Sequence, residues 1–214
     1  MWQISHGPHP VIQTPVCEDR PCWPKKEESC RRIQSLVRLA SVAESGVAFC
    51  LMNTTPTLIK LLSQTPAVLQ HLLVQIPADR HDTRRVESQW SVKEWLCHLI
   101  DAQDVLMGRF TQFETEEDPL IADYEPPPQS DTRYRDRDFA AAVVQFSNLR
   151  AGTIRRLQGY DEAYWTRCGR HDSFSPYGTR ILLGHMLNVD HAHMFGIEKI
   201  GLGTMTDRQD THRT

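Results

Sequence analysis

No stretch of this chain stays apolar over the roughly 18 residues that a membrane-spanning helix needs. The N-terminus also lacks the charged start and continuous apolar run of a secretory signal. A soluble, cytoplasmic protein is therefore expected. Charge of one sign is missing too. With 24 basic residues against 27 acidic ones, bulk electrostatics gives no pull towards a nucleic-acid backbone or an anionic membrane. Cysteine is present but not as a disulfide framework: Cys17, Cys22, Cys30 and Cys50 crowd into the first quarter, while Cys97 and Cys168 stand alone. The spacing of Cys17 and Cys22 does not match the compact Cys-x-x-Cys pair of a structural zinc site. Internal repeats and convincing strands are absent as well, which leaves helices as the regular structure.

What is there falls into three parts. Residues 1–51 are rich in Pro and Cys and show almost no helical period, so they are expected to be a disordered leader or an over-extended N-terminus. The composition shifts at Met52, which makes that residue a candidate alternative initiator. Residues 52–202 carry the patterned domain, and 203–214 are expected to be a disordered tail. A chain of 214 residues buries one sizeable core but not two generous ones, so one main domain is the default.

Within 52–202 the apolar residues recur at helical spacing four times. Leu58, Leu61, Leu62, Val68, Leu69, Leu72, Leu73 and Ile76 mark the first helix, with Pro66 interrupting it and Pro77 closing it. Ser91 and Glu94 form a capping box ahead of the second, over 91–113, whose inward face carries Trp95, Leu99, Ala102, Leu106 and Phe110. The third spans 136–157, with Phe139, Val143, Phe146, Leu149, Ile154 and Leu157 inward and Gly159 at its C-cap. The fourth spans 179–200, with Ile181, Leu182, Met186, Val189, His193 and Ile197 on its core face, and stops at Gly201. Two long connections, 114–137 and 160–178, join these helices. The pattern predicts an all-α protein, a four-helix bundle with long crossover loops.

Two histidines point at the core of that bundle. His98 sits beside the apolar stripe of the second helix and His193 lies within that of the fourth. A neutral imidazole is a good ligand for zinc or nickel, so the pair suggests a divalent metal site. Three protein ligands and an open position would let the metal lower the pKa of a bound water or thiol. The residue one turn before His193, where a His-x-x-x-His pair would place a second imidazole, is Val189. Asp190, three residues before His193, and His185, two turns back, are the candidates to complete the set, and His171 is within reach from the preceding connection. His191 points about 200° away from His193 and is expected in solvent. Arg109 and Tyr124 are candidates to orient an anionic substrate, although a surface cation and a loop-packing aromatic are the simpler expectations.

Several words of this sequence resemble DinB-like proteins. Trp90, Ser91, Glu94, His98, Leu99 and Asp101 match the second-helix signature of that family; Trp165, Arg167, Gly169, His171, Gly178, His185, Asp190, His193 and Ile200 match its C-terminal words. The resemblance covers about residues 52–202. It implies an up-down-down-up four-helix bundle, often a homodimer, with a divalent metal held by three histidines. It also implies action on a small molecule as a hydrolase or as a transferase using a low-molecular-weight thiol. His98 and His193 match two of the ligands by position. Val189 replaces the third, and Gln103 stands where the family carries an acid. The alternative is a non-catalytic bundle whose degenerate metal site leaves a binding or dimerisation module.

Overall fold

The computed structural model describes residues 54–204; the expected leader, the Met52 start and most of the tail lie outside the described residues. Helix α1 runs Thr54–Gln75, α2 Val92–Thr115, α3 Phe139–Gln158, the short α4 Glu162–Trp165 and α5 Thr179–Leu202. Strand β1 is Leu120–Ile121, β2 Cys168–His171 and β3 Tyr177–Gly178. The four long helices match the four expected from the apolar period, within a few residues at each end.

Local chemistry sets the ends. The Ser91 hydroxyl accepts from the Glu94 amide at 3.3 Å and the Glu94 carboxylate accepts from the Ser91 amide at 2.8 Å, so the capping box is complete. Asp138 caps α3 through the Ala141 amide, and Gly159 closes it. Pro66 does not interrupt α1, contrary to the expectation from its ring. Proline has no N–H for the carbonyl of Leu62, and the Thr65 hydroxyl donates to that oxygen instead, at 3.0 Å, so the helix runs through. Leu61, Val68 and Ile181, expected inward, are exposed, because the buried stripes run through Leu62, Leu69 and Leu182.

The bundle is a ring in which α1 and α2 each pack chiefly against α3 and α5, so the first two long helices sit across a diagonal. The core divides into two apolar clusters. One gathers Leu69, Leu73, Trp90, Leu96, Phe146 and Ile197; the other gathers Leu62, Leu106, Phe110, Tyr177, Leu182 and Met186. Between them, residues of α2 and α5 supply a polar layer containing His98, Gln103 and Asp190.

The expectation of no strands is corrected. β1 pairs in parallel with β2, and β2 in antiparallel with β3, to make a three-stranded sheet over the end of the bundle. Strands of two to four residues are too short to show an alternating pattern. The glycines were the available signal. A Cβ on Gly169 would stand 2.8 Å from the Pro119 carbonyl oxygen and one on Gly178 2.6 Å from that of Arg167, so both strands need a bare backbone there.

Candidate functional site

His98 and His193 meet across the α2–α5 contact, with ring centroids 4.9 Å apart. Trp90 packs on His98 at 4.6 Å and Trp95 meets His193 edge-on at 5.7 Å, so aromatic walls fix both rings. His193 Nδ1 lies 2.7 Å from the Val189 carbonyl oxygen. A carbonyl only accepts, so Nδ1 carries the proton and Nε2 presents a lone pair, buried and without a hydrogen-bond partner. His98 Nδ1 is buried and unpartnered as well. Burial, helped by the neighbouring His193, pushes the His98 imidazole down to about 4, and burial also lowers His193. Both rings are therefore neutral at neutral pH.

The pair opens into a cavity of about 290 Å³. Helix α2 contributes His98, Ala102 and Arg109, and α5 contributes His185, Val189 and His193; Asp123, Tyr124, His171 and Phe174 close the far side. The small sheet holds that far wall in place. The Asp172 amide donates to the Ile121 carbonyl, and the Ser173 amide donates to His171 Nδ1 at 3.1 Å. The Tyr134 hydroxyl donates to Asp101 at 2.7 Å and ties the long connection to α2 behind His98. A larger groove, about 860 Å³, runs between α2 and α3, but its walls are mainly aliphatic and amide side chains and it contains none of these histidines.

Of the four residues expected at a metal site, the structure brings His98, His193 and His185 to one cavity. Asp190 faces elsewhere: its carboxylate accepts from Arg150 of α3 at 2.7 Å, with both side chains buried. His171, within reach by sequence, does line the cavity, while His191 is exposed as expected. Arg109 is not the surface cation that its place on an amphipathic helix suggested. It is 7% exposed and donates to the Ala122 carbonyl at 2.9 Å. Sequence had no way to show this, because the chain that covers Arg109 is the irregular connection after α2.

The metal implied by the resemblance meets only part of a ligand set here. Each of the two neighbouring rings keeps a buried imidazole nitrogen without a partner, which suits an ion, but the third position is the side chain of Val189. Among the described residues no three His, Cys, Asp or Glu side chains gather into a group able to hold one. As arranged, the residues do not fit a three-histidine centre.

Comparison with known proteins agrees with the architecture. A search of curated proteins found no match. Among solved structures the chain is similar to YfiT from Bacillus subtilis, described as a probable metal-dependent hydrolase with an unusual four-helix bundle topology. The match has a TM-score of 0.59 and 22% identity over 68% of this chain and 85% of that one. At that identity the likeness speaks for the fold. A family model described as the DinB superfamily matches residues 61–194, which takes in the α2 words, the sheet and most of α5. With the bundle and the paired histidines, this match places the chain in the DinB superfamily.

Proposed function

We propose that this DinB-superfamily chain binds a small molecule in the cavity under His98, His185 and His193, through a site that has lost the three-imidazole metal centre. Val189 carries the reading: it lines the cavity one turn before His193, where it can coordinate nothing. The two remaining imidazoles are neutral, oriented and unpartnered, so they offer a ligand a proton acceptor and a donor in an apolar setting. A homodimer belongs to the same reading.

A second reading keeps the metal: a zinc- or nickel-dependent hydrolase or thiol-dependent transferase. The bare Nε2 of His193 opposite His98 favours it, as does the description of YfiT as a probable metal-dependent hydrolase. Metal content by inductively coupled plasma mass spectrometry separates the two, on wild type, His98→Ala and Val189→His purified without chelator. The first reading expects no stoichiometric metal in wild type and about one ion per chain in Val189→His, since that variant restores a three-ligand set. About one ion per wild-type chain, lost in His98→Ala, sinks it and gives the second its metal.

A further inference from the structure

Two arginines with buried side chains, Arg84 and Arg150, are answered by a carboxylate. Arg84 pairs with Glu94 at 2.6 Å and Arg150 with Asp190 at 2.7 Å. Arg109, also buried, has no such partner among the described residues. It is 7% exposed, it lines the cavity, and among the described residues it forms no ion pair; its one hydrogen bond goes to a neutral carbonyl, that of Ala122. A buried cation answered only by a peptide dipole is unfavourable unless something else brings negative charge to it.

The groups around Arg109 are also donors. The His171 side chain is 1% exposed. Its Nδ1 accepts from the Ser173 amide, so in the neutral ring the proton sits on Nε2, which is buried and has no partner. Tyr177 lies against that ring, centroids 4.5 Å apart, and its hydroxyl stands beside the Arg109 guanidinium with no hydrogen bond of normal geometry. His185 completes this end of the wall. Burial, with the nearby positive charge of Arg109 adding to it, holds His171 and His185 below the ordinary imidazole range. Among the described residues Asp123 is the one acid lining the cavity. It sits at the rim, 3.6 Å from His171 Nδ1, and its other oxygen accepts the Ser173 hydroxyl at 2.5 Å.

We propose that the Arg109 end of the cavity is an oxyanion subsite, in which Arg109, His171 Nε2–H and the Tyr177 hydroxyl take the carboxylate or phosphate of a small acidic ligand. The rest of that ligand extends towards His98 and His193. This rests on the reading of the cavity as a small-molecule site and narrows it to acids. Arginine presents a planar fork of donors that suits either oxyanion, and the cavity volume suits a compact metabolite-sized acid.

The test is calorimetric titration of the full chain with succinate, inorganic phosphate and the neutral succinamide. At least one of the two anions should bind about tenfold or more tightly than succinamide, and Arg109→Gln should lose about tenfold or more of that affinity. The preferred anion tells carboxylate from phosphate. Should Arg109→Gln lose its far-UV circular dichroism, His171→Phe takes its place: it keeps the packed ring, removes one donor, and should still weaken the anion several-fold. Equal binding of succinate and succinamide, or anion binding untouched by both variants, overturns the subsite and leaves the small-molecule reading standing. No binding of any probe at about 50 mM also overturns the subsite, since a formed oxyanion site should take at least one of the two anions at that concentration; the small-molecule reading falls only with the metal-content measurement.

Discussion

Asp190 shows how far a single residue's spacing can mislead. Three positions before His193, it lies close enough in sequence to complete a ligand set. The structure commits it to Arg150, a partner on another helix that no local pattern in the sequence reveals. The pair is buried at 1% and 2% side-chain exposure, so removing the acid strands a guanidinium in the core. Asp190→Ala should therefore cost about 3–5 kcal/mol of stability. Replacing both partners by Leu and Met should cost much less than removing one, because an apolar pair leaves no charge behind. Urea denaturation of the single and double variants checks this; a mild effect of Asp190→Ala would show that the pair is not what holds α5 to α3. His98 and His193, by contrast, were legible as a facing pair, because each falls on or beside the apolar stripe of its helix and the two helices are neighbours. That His193 is fixed through the Val189 carbonyl is a matter of ring orientation, which no spacing encodes.

At the scale of elements, the four long helices could be read from the apolar period, and the start of α2 from Ser91 and Glu94, because both signals are local. The three-stranded sheet could not, although it builds the far wall of the cavity and positions His171. Its β1–β2 pairing joins Leu120 to Arg170, segments distant in sequence, its β2–β3 pairing is too short to show an alternation, and only Gly169 and Gly178 leave a trace of it. Helix α1 tests a subtler local effect. The Thr65 hydroxyl stands in for the amide that Pro66 lacks, so Thr65→Val should strand the Leu62 carbonyl in a buried turn and cost about 1–2 kcal/mol. In the Pro66→Ala background the restored N–H can take that carbonyl, and the same Thr65→Val change should cost a few tenths of a kcal/mol. A double-mutant cycle measured by thermal unfolding decides it: equal costs in the two backgrounds would mean that the hydroxyl does not compensate for the proline.

The whole molecule should be acid-labile. His98 is lowered to about 4, and His171, His185 and His193 are lowered too, chiefly by burial. In the unfolded chain these rings take up a proton near the ordinary value of about 6.5. Between that pH and about 4 the unfolded state thus binds more protons than the folded one, so stability falls as pH falls through this window. His98 alone can contribute up to about 3 kcal/mol of the loss. The urea midpoint in metal-free buffer should drop steeply from pH 7 to pH 4.5, less steeply in His98→Leu; a flat midpoint would show that the rings are not held neutral. A different consequence follows from the placing of α1 and α2 across the ring's diagonal. A nascent chain cannot close α1 and α2 into a hairpin and build on it. Among the described helices α1 finds no packing partner before α3, and the ring closes only when α5, the last of the four long helices described, slots between α1 and α2. Contacts between such distant segments slow folding relative to a bundle of consecutive hairpins. This protein should thus collapse late and cooperatively, with its binding cavity the last part to take shape.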